Sequence, residues 1–200
     1  MVKLKKGDIF FTDSDKTGPK IVKFLMQSPT LFHWAIGKIG GIFSKKFKAK
    51  FISPVRMYHA GIFLSPEVFI EQQWKIEYNN NVQGILDKKH VIWRYKHLTE
   101  EQADKIQNLA ESRLGTSYDL WLILGKTLTW LTGIKWFVKN VEAKNKDICI
   151  TFVAYLYFTC VGYKWGRRTW HEITTDIMDD WNAVHKEDWE VISKRYEIGG

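Results

Sequence analysis

The stretch that most constrains this chain is KDICITFVAYLYF, residues 146–158. It is apolar on nearly every side, so the element it forms must be enclosed by the rest of the domain. Ile148, Ile150, Phe152, Ala154, Leu156 and Phe158 alternate as a strand would, yet a helix buried all round has the same look. Asp147 is a good N-cap for such a helix. Periodicity leaves both readings open. Cys149 stands at the head of the run. In a helix it would sit over the positive end of the macrodipole, which favours a thiolate.

The rest of the chain must supply that enclosure. Its 200 residues fit one domain, and 45% hydrophobic and 15% aromatic content is enough for a substantial core. The net charge of +8 and a pI near 9.3 favour anionic partners: nucleic acid, an anionic membrane or an acidic wall surface. No block of five or six consecutive basic residues occurs, so no specific nucleic-acid partner is expected. The densest basic run, SKKFKAKF (44–51), reads as a solvated loop or as a contact with a phosphate-rich surface.

Cys149 and Cys160 are the only cysteines. On one helix they would lie about 16 Å apart, beyond the reach of a disulfide. Two free thiols suit a reducing compartment. Before Asp8 there is no apolar run of signal-peptide length, so no Sec signal is read. Residues 117–138 mimic a membrane span, but Lys126 and Lys135 interrupt them. A buried or interfacial pair of amphipathic helices is expected there.

Strands are predicted at GDIFFT (7–12), on both sides of Ser65-Pro66-Glu67, and at VIWRYKHL (91–98). A hairpin centred near residue 65 would put His59 opposite Glu71 on one face. LTEEQADKIQNLAESRLG (98–115) is the clearest helix. Thr99 and Gln102 form a capping box, Ile106, Leu109, Ala110 and Leu114 line one face, and Gly115 ends it. A short helix and a last strand near Trp189–Ser193 close the chain.

A cysteine nucleophile needs a lowered pKa, an imidazole to carry a proton, and a third group to orient that imidazole. Cys149, His59 and Glu71 are the candidates, and helix-start amides would hold an oxyanion. Small Ala60 and Gly61 beside His59 leave room for substrate. The plainer alternative is a packed cysteine, a hydrogen-bonded strand histidine and an exposed glutamate. Cys160 carries no chemistry in this reading. His33, His90, His97, His171 and His185 show no metal-ligand spacing, and neither a P-loop, a GxGxxG nor a GxSxG motif occurs. Neither metal nor cofactor is therefore expected.

These residues resemble the NlpC/P60 superfamily of papain-like cysteine hydrolases, in its circularly permuted YiiX/YebB-like branch. GDIFF (7–11) is similar to the opening strand, YHAGIF (58–63) to the His-x-Gly strand, and FIEQ (69–72) to the strand after it. RLGTSYD (113–119) is similar to the LGxxY stretch, CITFVAYLY to the start of the nucleophile helix, and EITTDIMDD with WEVI to the closing segment. His before Cys is the permuted order. The resemblance implies an α+β, permuted papain-like fold: an antiparallel sheet or partial barrel packed against helices. It spans residues 1–200 as a single domain, with helical insertions at about 20–55 and 120–146. It implies a helix at 148–159, Cys149 as nucleophile, His59 as general base, Glu71 as orienting residue, and Tyr118 near the oxyanion. Two positions depart from the family's pattern: Ile150 stands where the family has Ser after the cysteine, and Thr151 where it has Gly or Glu. The Trp-rich insertions read as a lid or a surface-binding element.

The expected activity is cleavage of an amide in a peptidoglycan stem peptide. A lipid amide, ester or thioester hydrolase, or an acyltransferase, is the alternative, and a non-catalytic binding or structural module is the second. The expected location is the cytoplasm, or the cell wall by delivery as a phage or virion-associated protein. A register slip of one residue would exchange Glu71 for Gln72.

Overall fold

A computed structural model describes residues 2–12, 59–117, 148–167 and 173–195. The two expected insertions, the span-like segment 117–138 beyond Ser117, the basic run 44–51 and Tyr118 lie outside the described residues. Within them, the architecture is α+β. Six strands, β1 (Ile9–Thr12), β2 (His59–Phe63), β3 (Phe69–Gln72), β4 (Ile76–Asn79), β5 (His90–Tyr95) and β6 (Trp189–Lys194), form one open antiparallel sheet. Its order is β4-β3-β2-β1-β5-β6. The helices are α1 (Val82–Leu86), α2 (Glu100–Ser112), α3 (Cys149–Val161) and α4 (Thr175–Val184).

The central strands are buried at every position because both sheet faces are covered. Ile9 and Phe11 join Ala60, Ile62, Ile70, Val91 and Trp93 on one face, in a cluster completed by residues of α2, α3 and α4. On the other face Phe10, Phe63, Phe69 and Ile92 meet Leu4 and Ile85, with Ile85 supplied by α1. Phe10 fits there because Gly61 opposite it has no Cβ. An added methyl would stand 2.4 Å from Phe10 Cζ and 2.8 Å from the Ile70 carbonyl oxygen. Gly61 is therefore a packing requirement, which corrects the expectation that it leaves room for substrate.

The Gly-Asp pair before β1 also has a structural task. Gly7 takes φ +88°, a conformation only glycine adopts freely. Asp8 is buried and receives Arg94 Nε and Nη2 on its two oxygens, both at 2.7 Å. Such a bidentate pair offsets part of the cost of burying the carboxylate.

The apolar run 148–158 is helical, and the strand alternative fails. The residue that caps α3 is Ile148, not the expected Asp147, which lies outside the described residues. Thr151 Oγ1 reaches back to accept the Ile148 N–H at 3.0 Å, and Gly162 at φ +76° ends the helix. Tyr157 then donates its hydroxyl to the Gly7 carbonyl at 2.6 Å, at the start of β1. The first turn of α3 lies two turns back, a rise of about 12 Å. It sits at the other end of β1, where Thr12 pairs with His59.

The capping box of α2 forms as expected: Gln102 N–H donates to Thr99 Oγ1 and Thr99 N–H to Gln102 Oε1. Ile106 and Ala110 are buried with Ala103, but Leu114 is 39% exposed, because the helix stops at Ser112 before its face reaches the core. The closing helix and strand fall where the sequence places them. β4 and α1 carry no signal that the sequence reading picks up.

Candidate active site

The β2–β3 hairpin brings the first two site residues together, but not in the expected register. Gly61, not His59, lies opposite Glu71. The turn is longer than a pairing centred on residue 65 requires: Leu64 N–H donates to the Val68 carbonyl, and Ser65 Oγ accepts from the N–H groups of Glu67 and Val68. The slip is two residues, so parity is kept and both side chains stay on one face. Glu71 reaches diagonally to His59, and Oε2 meets Nε2 at 2.6 Å.

Glu71 is held from its other side as well. Gln73 Nε2 and Asn79 Nδ2 both donate to Oε1, at 2.7 and 2.9 Å. Asn79 arrives on β4, which pairs with β3. These two amides escape a reading of the sequence. Recognising KIEYN as a strand would have found Asn79, since a tight hairpin at Gln73–Lys75 sets its position. Gln72 points the other way, is fully buried, and donates Nε2 to the Ser117 carbonyl at 3.3 Å. The choice between the two neighbours thus falls on Glu71.

His59 is the first residue of β2, at the open end of the ladder. Its ring, 6.2 Å from that of Phe10, lies on the face opposite the main body of α3. The start of α3 lies at this same end, and the Cys149 thiol and the imidazole hydrogen-bond there. With Nε2 committed to Glu71, the ring's Nδ1 is left for sulfur. Cys149, His59 and Glu71 form a continuous row, at 2%, 4% and 5% exposure.

Electrostatics follow from that row. Burial alone would disfavour the imidazolium. The hydrogen bonds and charges of Cys149 and Glu71 more than offset it and raise the His59 pKa from 6.5 to about 9. The raised pKa favours the ring with protons on both nitrogens. Glu71 feels burial pushing its pKa up, but His59, Asn79 and Gln73 together hold it below the usual carboxylate value. The N–H groups of the first turn of a helix have no intrahelical acceptor, and Ile148 offers no side-chain cap to those of α3. Amides of this kind suit a thiolate or an oxyanion.

Tyr118 lies outside the described residues. Its neighbour Ser117 bridges Lys75, just before β4, and so enters next to the hairpin that carries Glu71. Cys160 is eleven residues along α3 from Cys149, and neither forms a disulfide. Burial pushes the Cys160 thiol pKa up, with Lys105 opposing it. His90 bonds the Lys88 carbonyl and Ser193 Oγ, His97 lies 3.4 Å from Asp188, and His185 stacks on Trp181. His33 and His171 lie outside the described residues. Among the described residues no group of His, Cys, Asp and Glu could hold a metal ion, and no helix is long and apolar enough to cross a membrane. No family model and no curated protein matches the sequence.

Proposed function

We propose that the chain is a cysteine hydrolase on a permuted papain-like (NlpC/P60) fold, cleaving an amide bond through Cys149, His59 and Glu71. The observation that carries this reading is the buried row in which Glu71 orients an imidazole that hydrogen-bonds the Cys149 thiol. A merely packed cysteine needs neither a buried histidine beside it nor a carboxylate held by three donors.

Each step has a group to perform it. Cys149 starts as thiolate beside imidazolium. Sulfur attacks the carbonyl carbon, and the negative charge moves to oxygen, facing the amides of the first turn of α3. The C–N bond breaks as His59 gives its proton to the departing amine, leaving a thioester. Neutral His59 then takes a proton from water, whose oxygen attacks the thioester. A carboxylic acid leaves, and the thiolate and imidazolium return. Glu71 keeps the ring aligned and its cation favoured throughout.

The proposed substrate is a peptidoglycan stem peptide, a choice supported by the net charge of +8 against an anionic wall. Delivery as part of a phage or virion is the proposed route to that wall. The same chemistry on a lipid amide, ester or thioester is the second reading.

Iodoacetamide labelling of Cys149 and Cys160 against pH, followed by peptide mapping in wild type and His59→Ala, tests the pair without a substrate. Cys149 is expected to label well below the pKa of about 8.5 of an ordinary thiol, and His59→Ala to abolish that advantage. Ordinary reactivity at Cys149 whatever stands at residue 59 would overturn the hydrolase reading and leave a non-catalytic module.

A further inference from the structure

Trp93, Trp165 and Trp189 are buried and Trp181 is half-buried, but Trp74 is 55% exposed. It is the most exposed tryptophan among the described residues. Its position, not its exposure alone, is what matters. β3 ends at Gln72, and extending the β2–β3 register by two residues sets Gln73 level with His59. Trp74 is the next residue, in the tight turn closed by Gln73 N–H donating to the Lys75 carbonyl at 3.3 Å. Strand spacing then puts the Trp74 backbone on the order of 8 Å from that of His59, at the end of the sheet where Cys149 meets the imidazole.

The turn is also fixed to the site from both sides. Gln73, preceding Trp74, binds the Glu71 carboxylate at 2.7 Å. Lys75, following it, bridges Ser117. The backbone on either side of the indole is therefore anchored. A large, rigid, amphipathic ring with few torsions to immobilise gives contact area at low entropic cost. Binding sites are lined by such rings.

We propose that Trp74 is a specificity residue that receives an apolar group carried beside the attacked carbonyl, an inference that rests on the hydrolase reading above. The group is an acyl chain in a lipid-like substrate or an apolar side chain in a peptide. Both present the same chemistry to the indole, and probe shape separates them.

The probes are iodoacetamide, N-octyl iodoacetamide and N-benzyl iodoacetamide, with second-order labelling rates read at Cys149. Cys160, far along α3, corrects for the intrinsic reactivity and partitioning of each reagent. In wild type at least one substituted probe is expected to gain about tenfold over iodoacetamide at Cys149 relative to Cys160. A gain with octyl alone points to a chain, and a gain with benzyl alone or with both points to a pocket that takes a side chain. Trp74→Ala should lose the gain, keep the iodoacetamide rate and its dependence on His59, and Trp74→Phe should retain most of it. No gain in wild type, or a gain that survives Trp74→Ala, overturns the proposal. If the gain is present and Trp74-dependent while Cys149 shows no His59-dependent activation, the apolar site stands and the hydrolase reading falls. A Cys149 inert to all three reagents removes both.

Discussion

Replacing Glu71 by Gln keeps the shape of the side chain and removes its charge, and the surroundings make the outcome specific. Gln73 and Asn79 both aim donors at Oε1 while His59 aims one at Oε2. An amide has one acceptor oxygen, so in Glu71→Gln the new side chain cannot accept from His59 and also satisfy the two amide donors. The rise of the His59 pKa from 6.5 to about 9 corresponds to about 3 kcal/mol in favour of the imidazolium. Losing a charge-assisted bond of about 1.5–3 kcal/mol should lower the His59 pKa by about one to two pH units. The less stable cation also supports its thiolate less, so the Cys149 pKa rises. The onset of rapid Cys149 alkylation should then move to higher pH, because alkylation follows the thiolate, while the titration of the His59 ring moves to lower pH. Alkylation profiles read the first shift and an NMR titration of the His59 ring the second. A ring that still titrates near the wild-type value would refute the assignment of Glu71 as the orienting group.

The same substitution changes how stability depends on pH. Glu71 has a lowered folded pKa, so its contribution is present above the unfolded value near 4.5 and fades as pH falls through the folded one. His59 has a raised pKa, so its contribution is complete below about 6.5 and fades as pH rises through about 9. Denaturation of Glu71→Gln should show no acid-side loss from this pair and a weaker alkaline one. Two further substitutions test the scaffold. Gly61→Ala forces a methyl between Phe10 and the Ile70 carbonyl. It should cost about 3 kcal/mol, read as a lowered urea midpoint, and a cost below about 1 kcal/mol would show that the hairpin shifts freely. Arg94→Met leaves Asp8 buried without its bidentate partner and should destabilise by about 3–5 kcal/mol at pH 7. Burial already pushes the Asp8 pKa up despite Arg94. In the variant it rises further, so the loss should shrink as pH falls through it. An equal loss at pH 4 and pH 7 would contradict that account.

The elements legible in the sequence are those whose local signals agree with their tertiary setting. GDIFF, the α2 capping box and the last helix and strand carry turn, cap and alternation signals that the packed structure keeps. The run at 148–158 is ambiguous, because burial on all sides erases periodicity, and only the resemblance favours a helix. Leu114 misleads because helical spacing continues past the point where Arg113 already caps the chain. β4 is invisible: its burial is irregular, and its strand character comes from pairing with β3. The three principal site residues can be named, but Gln73 and Asn79 depend on that unseen strand. The hairpin error is harmless only because it is even. A shift of one residue would have put Gln72, not Glu71, beside His59.

His59 and Glu71 share one hairpin, whereas Cys149 comes from a helix far along the chain, and this separation orders the protein's own biogenesis. The hairpin closes a short loop, an inexpensive and fast event. At translation rates of roughly 5–20 residues per second, the cysteine codon is read several seconds after Glu71. Until α3 docks, its thiol has no imidazole beside it and reacts as an ordinary, mostly protonated thiol. On the hydrolase reading proposed above, the nascent chain therefore carries no armed nucleophile, and activation coincides with completion of the core.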